Sequence, residues 1–125
     1  MRVGAHAGMR DLLRRASPIV WGVCHCIDCR KHHGALFYAA AIFPQHAVKL
    51  IGDTQSYNGR FFCLNCGSSV YASSGDEIEL HLGAMDVPDQ FEPTYECWTI
   101  RREKWLSPIP RARQFVRDRD ERGEA

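Results

Sequence analysis

The chain has 125 residues, 45% of them hydrophobic and 25% charged, with a formal net charge of +1. That length suits one domain and leaves no room for two independent cores, and the composition excludes a largely disordered or fibrous chain. The longest apolar run, residues 35–43, is nine residues long, well short of the ~20 that a membrane-spanning helix needs. Arg10, Asp11, Arg14 and Arg15 interrupt the N-terminal stretch, so no signal peptide is expected and a soluble cytoplasmic protein is the default reading. Residues 111–125 hold five Arg against four acidic side chains, and the remainder is balanced at eleven of each. With no concentrated basic stripe, neither nucleic acid nor membrane is expected as a partner.

In chain order, residues 9–16 have helical propensity, ended by Ser17-Pro18. Residues 18–23 are apolar and β-branched and predict a strand that runs into a first cysteine cluster. Residues 34–43 predict a buried strand ended by Pro44. Short strands are expected at 48–51, 55–57 and 60–63. The last two flank Asn58-Gly59, a hairpin signal because both residues tolerate positive φ. Further strands are expected at 69–72, 78–82 and 95–100. The pattern is mostly β, over a domain of residues 1–110. Residues 111–125 read as a charged, solvated and partly disordered tail.

The six cysteines, at 24, 26, 29, 63, 66 and 97, carry the chemistry. Five fall in two clusters, Cys24-His25-Cys26-Ile27-Asp28-Cys29 and Cys63-Leu64-Asn65-Cys66, at spacings that rarely make good structural disulfides. In a reducing compartment such clusters hold metal or do redox work. A redox C-x-x-C would open a helix, whereas Cys63 reads as strand–turn–strand, so zinc is preferred. Two ligand sets fit. Cys26, Cys29, Cys63 and Cys66 would form one closed structural site of the zinc-ribbon type. Alternatively, Cys24, Cys26 and Cys29 would bind one ion and leave its fourth position for water or substrate, as a catalytic zinc requires.

The residues Cys24-His-Cys-Ile-Asp-Cys-Arg-Lys, then Phe62-Cys-Leu-Asn-Cys-Gly-Ser, Tyr95-Glu-Cys-Trp and Trp105-Leu together resemble the glutathione-dependent formaldehyde-activating enzyme / centromere protein V family over residues 4–108. The resemblance implies a mainly β, Mss4-like (β-tent) zinc-binding fold of short antiparallel strands. It also implies a three-cysteine zinc site at Cys24, Cys26 and Cys29, and a structural four-cysteine site that uses Cys63 and Cys66. The implied activity is that of a carbon–sulfur lyase on S-hydroxymethylglutathione or a similar adduct, with a small thiol such as glutathione as partner. This chain departs from the family at the N-terminal C-x-C-G, which reads Ala5-His6-Ala7-Gly8. One firmly held zinc per chain is therefore expected.

Beside the cluster, Arg30 and Lys31 either screen its negative charge or hold a substrate carboxylate. His32 and His33 either sit in an exposed turn or supply a proton at the open position. His25, between two ligating cysteines, is expected to point away from the ion, and Asp28 to serve the turn. Cys97 reads as a small core residue on a regular strand, with Trp98 on the opposite face, packing or walling a substrate pocket. The non-catalytic alternative is a scaffold or interaction module whose metal is closed.

Overall fold

The computed structural model describes residues 20–119. Among these, eight strands and one α-helix make the chain mainly β, as the sequence predicts. The chain divides into two compact units: one spans Ala40–Gln90, and the other joins Trp21–Ala39 to the chain from Phe91 onward.

In the first unit, β2 (Tyr38–Pro44), β3 (Thr54–Tyr57), β4 (Arg60–Cys63), β5 (Ser69–Ser74) and β6 (Glu77–His81) pair antiparallel in the order β3-β4-β5-β6-β2. The β3–β4 hairpin turns at Asn58 and Gly59, whose φ values of 53° and 75° are those of the expected two-residue turn. In register, Phe43 of β2 faces Ile78 of β6, and Ala41 faces Leu80, all buried. Phe43 and Leu80 alone stabilise the unit by about 1.5–3 kcal/mol each. Residues 40–43 are buried without alternation, which accounts for the continuous apolar run in the sequence.

The second unit is built differently. Strand β1 (Val20–Cys24) pairs parallel with β7 (Tyr95–Cys97), and β7 pairs parallel with β8 (Arg113–Gln114). No tight turn can join parallel neighbours, and sequence periodicity does not reveal partners so far apart in the chain. Gly22 lies in register with Tyr95, and a β-carbon there would fall 2.4 Å from the Tyr95 ring. The glycine is what lets the aromatic ring lie across β1.

Between β1 and β2 lies α1 (Ile27–His33), which the strand pattern does not anticipate. Cys26 is its N-cap, with Sγ accepting from the Cys29 amide at 3.3 Å. Asp28 sits in the first turn, while Arg30, Lys31, His32 and His33 fill the last, each sign complementing the helix dipole. Gly34 ends the helix in the left-handed region at φ 62°.

Three further differences from expectation have local causes. Residues 48–51 form no strand; they follow a 3₁₀ turn at Gln45–Ala47 and expose Leu50 and Ile51. The strand expected over 95–100 stops at Cys97, because Trp98 takes the left-handed region (φ 54°, ψ 40°) and opens a 3₁₀ turn at Thr99–Arg101. Residues 111–119, read as part of a solvated tail, carry β8 and bury Phe115 at 3% exposure. The helix expected at 9–16, the Ala5–Gly8 segment and residues 120–125 lie outside the described residues. Among the described residues no helix is long and apolar enough to cross a membrane.

Candidate metal centre

Cys24 ends β1, Cys26 caps α1 and Cys29 lies in its first turn. This strand-to-helix corner folds three thiols inward, and their sulfurs all lie within 4.8 Å of one another. Cys24 and Cys29 are buried, whereas Cys26 is half-buried and offers an approach from solvent. Crowding governs their acidity. The hydrogen bond with Cys26 pushes the Cys24 thiol well above its ordinary range, and Cys97 and burial add to this against an opposing bond to Cys29. Cys29 is pushed up by its bonds with Cys24 and Cys26, then by burial. Neighbouring sulfurs resist ionising together unless a cation compensates them. The donor set therefore fits a thiophilic divalent ion.

Cys97 is buried, as the sequence predicts, but it also lies in register with Cys24 across β1 and β7 and helps to push up the Cys24 thiol. It is outside the group of three mutually close sulfurs. His25 turns away from that group, as expected: it is 2% exposed and its Nε2 lies 2.8 Å from Glu96 Oε1.

Glu96 is the residue the sequence did not flag. It is 1% exposed, and its Oε2 accepts from the Ile109 amide at 2.6 Å and from Gln114 Nε2 at 2.9 Å. The Arg102 guanidinium stands 3.7 Å from Oε1. Burial opposes its ionisation, but the hydrogen bonds from Gln114, His25 and Ile109 outweigh burial and hold the carboxyl below its usual range. An ionised carboxylate only accepts, so His25 donates from Nε2. That leaves the buried Nδ1 without a hydrogen-bond partner. The Glu96–His25 pair thus anchors the backbone between Cys24 and Cys26. Alternation along Tyr95-Glu96-Cys97 would turn the acid to the opposite face, whereas all three residues of β7 are buried, so the sequence carries no local signal for this role.

The remaining candidates are placed as follows. Arg30 is half-buried and pairs with Glu103 Oε2 at 2.9 Å while donating to the Arg101 carbonyl at 3.0 Å. With Ile27, Lys31, Gly34, Ala35 and Leu36 it lines a groove along α1. His33 stacks on Tyr38, with ring centroids 4.9 Å apart and planes 9° apart, and His32 meets it edge-on. Trp98 donates from Nε1 to Asp118 Oδ1 at 2.8 Å. In the first unit, Cys63 is 2% exposed and Cys66 is exposed on the turn after β4. A hydrogen bond from the Ser68 amide, helped by Cys63, lowers the Cys66 thiol below its ordinary value.

A model of the family described as glutathione-dependent formaldehyde-activating enzyme matches residues 11–101. The chain belongs to that family. The match spans the three-cysteine corner, α1 and every strand of the first unit. The mainly β fold agrees with the family's Mss4-like architecture. No curated protein matches the chain.

Proposed function

We propose that this member of the glutathione-dependent formaldehyde-activating enzyme family is a zinc-dependent carbon–sulfur lyase. It would act on a glutathione or small-thiol adduct of the S-hydroxymethylglutathione type. The observation that carries the reading is the trio of mutually close sulfurs of Cys24, Cys26 and Cys29, one of them reachable from solvent. These residues would hold zinc, which when bound supplies a Lewis acid with one coordination position left for a substrate sulfur or oxygen.

The protein's own part is positioning. Arg30, steadied by Glu103, and Lys31 present positive charge along the α1 groove, where a peptide-like substrate's carboxylates would be oriented. His33, held flat against Tyr38, is the candidate to donate or accept the hydroxyl proton when the C–S bond breaks or forms. Trp98, fixed to Asp118, would wall the substrate and exclude water.

Cys97 favours a second reading, because its place in register with Cys24 sets a fourth cysteine beside the group. Closure by Cys97 would make the site structural and the domain a scaffold. Cobalt substitution separates the two. The lyase reading expects the thiolate-to-cobalt absorption to shift on adding millimolar glutathione; an unchanged spectrum sinks it in favour of the scaffold.

A further inference from the structure

Strand β8 lies in the stretch whose composition predicts a solvated tail, yet it runs beside β7 with Gln114 in register with Glu96. The Phe115 amide fastens the two strands by donating to the Glu96 carbonyl at 2.8 Å, and the buried Phe115 ring meets Tyr95 edge-on. The Gln114 side chain is a junction. Its Oε1 accepts from Arg102 at 2.7 Å, while its Nε2 donates to Glu96 Oε2 at 2.9 Å and to the Ala112 carbonyl at 3.2 Å. Chemistry fixes that orientation, because a guanidinium only donates and a carboxylate only accepts. Gln114, the Ile109 amide and the Arg102 guanidinium, three of the groups that hold Glu96, all lie beyond residue 101, outside the stretch that carries the family match.

From Glu96 the restraint passes to the three-cysteine corner. Glu96 Oε1 meets His25 Nε2 at 2.8 Å, and the His25 amide donates to the Cys97 carbonyl at 3.1 Å. The residue between Cys24 and Cys26 is therefore fastened through both its backbone and its ring. Three sulfurs within 4.8 Å of one another are a costly arrangement without a compensating cation. A corner held by its surroundings meets that cost before any ion arrives. A loose corner spreads its sulfurs, and gathering them again weakens binding.

We propose that Gln114 is a positioning residue of the metal centre: by orienting Glu96 on His25 it keeps Cys24, Cys26 and Cys29 gathered, and so sets how tightly the ion is held. This role presupposes the zinc site proposed above and extends it to β8, a strand with no cysteine of its own.

The test measures zinc affinity of the full-length protein by competition with a chromogenic chelator, and thermal midpoints with and without zinc. Gln114→Glu sets a second carboxylate against Glu96 and should lower zinc affinity about tenfold or more. Its midpoint should fall further in the zinc-loaded protein than in the metal-free one, because weaker binding adds less stability. Gln114→Met, similar in length and uncharged, should lower the affinity in the same direction by a smaller factor, and it carries the test if Gln114→Glu fails to fold. Arg117→Ala, on the same segment but meeting Trp98 through its backbone carbonyl, should match the wild type. A purely structural role gives equal falls in both midpoints at unchanged zinc affinity, and that result overturns the proposal, as does an equal loss of affinity in Arg117→Ala. If the wild type and Cys26→Ala hold zinc alike, the zinc site itself is refuted and Gln114 has nothing to position.

Discussion

Replacing Glu96 removes the acceptor that three donors share: His25 Nε2 on Oε1, and the Ile109 amide and Gln114 Nε2 on Oε2. In Glu96→Gln, the amide oxygen can still serve Ile109 and Gln114, but its NH₂ group then faces His25. The imidazole must move its proton to Nδ1, which has no acceptor. One charge-assisted bond is lost and one buried N–H is stranded, so the expected loss is about 2–3 kcal/mol. Glu96→Ala leaves all three donors without their acceptor and is expected to cost about 3–5 kcal/mol, a large share of the ~5–15 kcal/mol that holds a typical domain together. The carboxyl's folded pKa is lowered. Its stabilisation is therefore fully present above the unfolded value of about 4.3 and lost as pH falls through the folded value. Urea unfolding under reducing conditions, at pH 7 and at steps between pH 5 and pH 3, reads both effects. Glu96→Gln should lower the midpoint at pH 7 and lose less of its remaining stability on acidification than the wild type. An unchanged midpoint at pH 7, or parallel losses on acidification, would refute the reasoning.

Gly22→Ala should destabilise the protein by about 1–3 kcal/mol, because its methyl would have to displace the Tyr95 ring; a thermal midpoint equal to wild type would show that the ring gives way freely. Cys26→Ala should reduce tightly bound zinc to well below one per chain by elemental analysis, since it leaves two of three sulfurs. Cys97→Ala should keep one zinc per chain, and loss of the metal from that variant would mean a site closed by four sulfurs. Because thiolates are the ligands, zinc release should rise steeply on acidification, whereas a pH-independent release rate would point to ligands that do not take up protons.

The parts legible in the sequence are those written in local patterns. Asn58-Gly59 announced its hairpin through backbone chemistry, and β4 to β6 through short β-branched and aromatic runs. The spacing of Cys24, Cys26 and Cys29 marked the cluster because ligands so close in sequence need only a turn to meet. The helix α1 does have local marks, Asp28 in its first turn, the basic run Arg30–His33 and Gly34 at its end, but it is too short to show an apolar periodicity. What could not be read was non-local. The parallel pairing of β1 with β7 joins residues that share no periodicity, and Glu96 acquires its importance only when His25, Ile109 and Gln114 converge on it. Trp98 broke the expected strand because a bulky residue adopted a left-handed conformation that its sequence neighbours do not specify.

The distance along the chain between His25 and Glu96, 71 residues, has a consequence for biosynthesis. The three sulfurs leave the ribosome almost together, long before the acid and strand that will back them have been translated. The three-sulfur corner can thus be gathered before tertiary assembly, and an ion held there as proposed would be taken up while the polypeptide still waits for the strand that locks the corner in place.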